Sequence, residues 1–177
     1  MIFRIVIVSL FFLSFIIPGN KSDVIQWNAV RRLSWSDFKG EPPINTSNAA
    51  LTSSGILINF STNGQSFHYE LRCNFDKKNS WGRVKNDYIL SHEQGHFDIA
   101  EIYTRKLNKA LKRYRYRAAS CNKDINTIYQ NTMSELQQMQ NEYDRQTDYS
   151  RNPLQQRKWL TRIDNYLDDL KQFSDYK

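Results

Sequence analysis

From Ile89 to Tyr114 buried-type side chains recur every three or four residues, at Ile89, Ile99/Ala100, Tyr103, Leu107, Ala110/Leu111 and Tyr114. That spacing marks one face of a long α-helix. His92 and His96 fall on the same stripe, one turn apart, within the run His92-Glu93-Gln94-Gly95-His96. Two imidazoles on a buried face need a shared partner, because desolvating unpaired polar rings is costly. A metal ion is such a partner. Zinc accepts two imidazoles from one helix face, and a carboxylate beside them takes a proton from the water that zinc activates. With His92 at zero on a helical wheel, His96 lies at about 40° and Glu93 at about 100°, so Glu93 flanks the pair as the candidate catalytic base. Gly95 falls on the other flank, where a missing side chain lets another backbone approach. With so few histidines in the chain, this arrangement is expected by chance on the order of 0.002 times.

The rest of the chain supplies the setting. Ile56 to Phe60 and Phe67 to Cys73 flank Asn63-Gly64, a favoured turn pair, and predict a β-hairpin. Alternation in the second strand puts Phe67, Tyr69, Leu71 and Cys73 on one face and His68, Glu70 and Arg72 on the other. Residues 21 to about 50 predict irregular structure and short strands. The segment Ala118 to Lys123 breaks the first helix. A second helix carries the stripe Ile125, Ile128/Tyr129, Thr132, Leu136, Met139 and Tyr143. After a polar break from Thr147, Asn152-Pro153 caps a third helix with the stripe Trp159, Ile163, Tyr166/Leu167, Leu170 and Phe173. The expected fold class is α+β, a small antiparallel sheet followed by three helices.

Two histidines leave a zinc site short of a ligand. His68 sits on a polar strand face. Asp98 and Glu101 point about 160° and 140° away from His96 on the same helix. If the first two helices form a hairpin turning near residue 120, residue n lies opposite roughly residue 241 minus n. His92 and His96 then face positions near 149 and 145. Glu142, Asp144 and Asp148 come within reach, while Glu135 lies about two turns too far. Of these, Asp144 borders the buried stripe and is the expected third metal ligand. Tyr143 and Tyr149 lie at the same level. Tyr149 is a candidate stabiliser of a developing oxyanion, against an ordinary surface role.

Arg4 followed by an apolar run from Ile5 to Ile17, ended by Pro18-Gly19, has the layout of a secretory signal peptide over residues 1–20. The run is too short for a spanning helix. Residues 21–177 then form one domain, exported to the periplasm or the extracellular space, with no stable membrane insertion once the signal is removed. Losing Arg4 lowers the formal charge from +7 to +6. Arg105, Lys106, Lys109, Lys112, Arg113, Arg115 and Arg117 read as a solvated helix face rather than a nucleic-acid surface, since no nucleic-acid-binding motif accompanies them. In an oxidising compartment Cys73 and Cys121 are expected to pair, closing a loop of about 48 residues around the histidines.

Together these segments resemble a family of exported bacterial proteins, catalogued as a domain of unknown function and described as candidate zinc-dependent proteases. The resemblance is carried by Leu33-Ser-Trp-Ser-Asp-Phe-Lys-Gly40, Leu90 to Glu101 around the histidine pair, Tyr143-Asp144 with Thr147, and the Gln155 to Trp159 spacing. It implies a zincin-like fold, with His92 and His96 as ligands and Glu93 as catalytic base. Family members often carry a histidine shortly after the threonine, where this chain has Tyr149. The expected activity is therefore zinc-dependent hydrolysis of a peptide or protein substrate. The alternatives are a catalytically inactive metal-binding protein and a helical interaction protein of the cell envelope.

Overall fold

Turn chemistry sets the sheet. In the computed structural model, which describes residues 23–176, Gly64 takes a left-handed φ of 86°. Asn63 Oδ1 accepts from the amides of Gln65 and Ser66 at 3.0 and 2.8 Å. This tight turn joins β3 (Ser54–Thr62) to β4 (Phe67–Asp76) in an antiparallel ladder running from Thr62↔Phe67 to Ser54↔Phe75. The short β1 (Val24–Gln26) pairs with the other edge of β4. Leu71, Cys73 and Phe75 are buried while His68, Glu70 and Arg72 are exposed, as the alternation predicts. A separate two-stranded pair joins β2 (Ala50–Leu51) to β5 (Trp81–Gly82).

Three helices follow. α1 spans Asp87–Arg113, with Asn86 accepting from the Ile89 amide as its cap. α2 spans Cys121–Thr147 and α3 spans Pro153–Asp169. The Asn152 side chain accepts from the Gln155 amide, and Pro153 occupies the first turn, where its missing N–H costs nothing. α1 lies at the centre, packed against the sheet, α2 and α3, and 17 of its 27 residues are buried. The α+β class with a small antiparallel sheet and three helices therefore holds. Among the described residues, no helix is long and apolar enough to cross a membrane. The signal peptide expected over residues 1–20 lies outside the described residues.

Two expectations change. α1 is not a single apolar stripe with a solvated back. Gln94, Asp98, Glu101, Arg105 and Asn108 are also buried, each with polar partners from the chain's two ends. Asp98 accepts from Trp27 Nε1 at 2.8 Å and pairs with Arg32 at 3.0 Å, and Gln94 accepts from the Leu33 amide at 2.7 Å. Arg105, expected on the solvated face, pairs with Glu101 at 2.8 Å and donates to the Leu167 carbonyl. Tyr176 also bonds to Glu101. The second change concerns the cysteines. Cys73 and Cys121 are both buried and free, so the expected bridge is not formed. Cys73 packs beside Thr104, and Cys121 sits level with Tyr114. Those two positions are about 15 Å apart along α1, whereas a disulfide needs Cα atoms within about 7 Å.

Candidate metal centre

Close approach of α1 and α2 creates the site. A Cβ on Gly95 would lie 2.5 Å from Tyr143 Oη and 2.9 Å from its Cζ, so only glycine admits this ring. What approaches is a side chain rather than the expected backbone. Tyr143 stacks on the His92 ring at 4.5 Å, meets His96 edge-on at 4.9 Å, and donates to the His92 carbonyl at 3.3 Å. Burial pushes its phenol well above the ordinary range, keeping it neutral. Tyr143 is therefore a core wedge, locking the two helices in register.

That register brings Asp144 opposite the histidines. Its Oδ1 lies 3.2 Å from His92 Nε2 and 3.1 Å from His96 Nε2, and the two Nε2 atoms are 3.2 Å apart. Three donor atoms thus form a near-equilateral triangle. A tetrahedral zinc ion with bonds of about 2.0–2.1 Å separates its ligand atoms by about 3.3 Å, so the set suits such an ion with little rearrangement. Among the described residues, the buried side-chain polar atoms lacking a hydrogen-bond partner are His92 Nδ1, Glu93 Oε2 and Gln156 Oε1. All three belong to the first or adjoining layer of this one site. Buried polar atoms are normally satisfied, and the Glu93 oxygen, beside the donor triangle, is the one whose missing partner a cation could supply.

The two imidazoles have opposite electrostatics. Burial pulls His92 down to about 4, against the Asp144 contact and with the help of His96. Burial also works against a charged His96, but hydrogen bonding and charge from Asp144, with Glu93 and Gln140 adding to them, hold it up at about 9. Asp144 is opposed by its own burial, yet hydrogen bonds from both histidines keep its carboxyl far below the usual range. Burial raises the Glu93 carboxyl, with His96 and Thr52 opposing. A carboxylate raised toward neutrality is the type that serves as a general base.

Glu93 and the three donors open into a cleft of about 400 Å³. One wall is residues 48–54, containing β2, and the other is α2 through Met133, Leu136, Gln137, Gln140 and Asn141. Among the described residues, β2 pairs only with β5. Arg83 N donates to the Ala49 carbonyl, and Leu51 faces Trp81 in the ladder. Alternation then turns the backbone polar groups of Ala50 and Thr52 away from β5, on the side of the cleft. At the end of α2, Asp148, Tyr149 and Ser150 all take left-handed φ values of 49°, 51° and 68°. This strained turn sets Tyr149 and Ser150 into the cleft lining, with Tyr149 56% exposed. Non-glycine residues in this conformation cost about 1–2 kcal/mol each, and such strain collects at functional sites.

His92, His96 and Asp144 thus come together and Glu93 joins them, while His68 lies exposed on β4 and Asp98 and Glu101 are held elsewhere. The hairpin count was offset, however. His92 meets Asp144 and His96 meets Gln140, five residues short of the expected partners. The link between α1 and α2 covers residues 114–120, because Cys121 already opens α2, so the turn is centred earlier than residue 120. Gln140 and Gln156 were missed, since an amide is not a ligand type one searches for. For Gln140 the signal is that it and Asp144, four apart, match His92 and His96, also four apart; no such spacing points to Gln156.

Fold and site define an α+β protein with a three-residue group able to hold a metal ion. A family model described as bacterial protein of unknown function (DUF922) matches residues 69–151. That span runs from β4 through α1 and α2 to the strained turn and contains His92, Glu93, His96, Asp144 and Tyr149. The Leu33 to Gly40 and Gln155 to Trp159 segments lie outside it. No curated protein and no solved structure matches the chain.

Proposed function

We propose that this protein is a zinc-dependent hydrolase of peptide bonds, acting as an exported protein in the periplasm or outside the cell. The observation that carries the reading is the triangle of His92 Nε2, His96 Nε2 and Asp144 Oδ1, with edges of 3.1–3.2 Å, beside the buried Glu93 carboxyl. Those three atoms would hold the ion. Zinc bound there supplies Lewis-acid polarisation of a water and a carbonyl. Glu93 takes the proton of the attacking water and delivers it to the departing amine as the carbon–nitrogen bond breaks. An extended substrate lies along β2, its backbone pairing with the Ala50 groups that β5 leaves unpaired. Tyr149, on the cleft rim, donates to the oxygen that gains charge during attack. Its role replaces whatever a histidine at this place does in relatives.

The zincin-like reading of the fold and the choice of zinc rest on the same site and stand or fall with it. Glu93→Gln keeps the side chain's shape and removes the base. It is expected to abolish peptide hydrolysis while zinc stays bound, and retained hydrolysis sinks the assignment. Bound zinc without turnover of any member of a peptide library would favour a metal-binding protein without catalysis.

A further inference from the structure

Two glutamines approach the far sides of the two imidazoles. Gln140, from α2, donates through Nε2 to the His96 carbonyl at 2.9 Å. A carbonyl accepts only from the amide's nitrogen end, so this contact settles which end is which. Oε1 then faces His96 Nδ1, at 2.5 Å. Gln156, from α3, is 1% exposed and donates through Nε2 to the Tyr88 carbonyl and to Ser91 Oγ, both at 3.0 Å. Its orientation is set in the same way, by a carbonyl.

That leaves two complementary orphans. Gln156 Oε1 is a buried acceptor without a partner, and His92 Nδ1 is a buried ring nitrogen without one. Turning a His92 Nδ1–H onto Gln156 Oε1 would satisfy both, while the amide nitrogen keeps its anchors on Tyr88 and Ser91.

We infer that Gln140 and Gln156 are positioning residues that hold both imidazoles with Nδ1 protonated, so that both Nε2 lone pairs converge on one cation. This rests on the metal-binding reading above. Imidazole ligands usually direct their second nitrogen at a carboxylate, carbonyl or water, and that outer contact fixes ring orientation. Here both outer contacts are neutral amides, one from each helix that packs on α1. They aim the rings without adding negative charge. The charge facing the ion is then left to Asp144 and Glu93 alone. Gln156 also ties α3 to the site, which otherwise contributes no ligand.

The test measures zinc affinity by chelator competition on the full chain, for wild type and for Gln140→Met, Gln140→Glu, Gln156→Met and Gln156→Glu. Each methionine variant keeps the length and loses the acceptor, and is expected to weaken zinc about 10- to 100-fold. Each glutamate variant restores the acceptor toward the ring but sets an oxygen against the carbonyl that the amide nitrogen served, and is expected to bind more tightly than its methionine counterpart. Unchanged affinity in both methionine variants overturns the inference, and so does a glutamate variant as weak as its methionine counterpart, since packing alone would then matter. A readout independent of any substitution is the NMR spectrum of zinc-loaded wild type. Both Nδ1 protons should be visible and slow to exchange, and an Nδ1 proton missing from either ring counts against the proposal. Wild type that binds no zinc refutes the metal reading itself, a distinguishable result.

Discussion

Gly95→Ala separates tertiary packing from helix propensity, because the two predict opposite signs. In an exposed helix interior, alanine stabilises by about 1 kcal/mol relative to glycine. At Gly95 the new Cβ would lie 2.5, 2.9 and 3.1 Å from Oη, Cζ and Cε1 of Tyr143. The obstacle is no flexible tip. The ring is fully buried, stacked on His92 at 4.5 Å and tilted against Trp159 at 5.4 Å. Overpacking of this kind costs about 1–3 kcal/mol. The hydrogen bond from Tyr143 to the His92 carbonyl, worth about 1 kcal/mol, is lost as the ring moves. Net destabilisation of about 1–3 kcal/mol follows, measurable as a lower urea midpoint at unchanged slope. Tyr143→Phe removes the atom nearest the added methyl, so Gly95→Ala should cost less by about 1 kcal/mol in that background. A Gly95→Ala protein more stable than wild type would refute the reasoning, since propensity would have won and the ring could not be wedged as described.

Further outcomes follow from the same geometry. Asp144→Asn removes an anionic ligand and should weaken zinc by at least about a hundredfold in chelator competition, equivalent to about 2.7 kcal/mol. Zinc must displace the proton that His96 holds up to about 9, so affinity should rise about tenfold per pH unit between roughly pH 5 and 9 and then level off; a flat profile by calorimetry contradicts this. In the metal-free protein that raised value contributes stability fully present below the unfolded histidine value of about 6.5 and lost as pH rises toward 9, so the melting temperature should fall across that window. Burial raises the Cys73 thiol well above its ordinary value; iodoacetamide should spare it in the native protein and label both cysteines after denaturation, and a reductant-sensitive mobility shift would show a bridge instead.

Periodicity carried much of this architecture, and its failures share a cause. The hairpin at Asn63-Gly64, the Asn152-Pro153 start of α3 and the stripes of all three helices are local signals, and the structure places them close to where spacing puts them. Asp144 was reachable despite a five-residue error in the hairpin count, because it alone among the nearby carboxylates borders the α2 stripe. What spacing could not show is which segments cover a polar face. Gln94, Asp98, Glu101, Arg105 and Asn108 look solvated on a wheel, yet Trp27, Arg32 and Leu33 from one end and Leu167, Phe173 and Tyr176 from the other bury them. The partners are 61 to 75 residues away in sequence. The free thiols failed for the same reason, since redox habit says nothing about an offset along α1.

The opposite behaviour of His92 and His96 bears on what the site is built to hold. They are chemically identical, one turn apart and in contact at 3.2 Å, so two protonated rings would repel strongly. One positive charge is therefore the most the pair carries near neutrality, and the added proton rests on His96, where Asp144, Glu93 and Gln140 converge. That proton takes the electrostatic place of a cation. It serves incompletely, because a single positive charge faces two carboxylates and Glu93 Oε2 remains buried without a partner. A divalent ion among the three donors would release the His96 proton and bring two charges in its place. Asp144 would be matched directly, and the raised Glu93 carboxyl would be drawn back toward ionisation, the form a base requires. On that reasoning the unpartnered Glu93 oxygen is not a defect of packing; it is what remains when a site able to hold a doubly charged ion is balanced by one added proton.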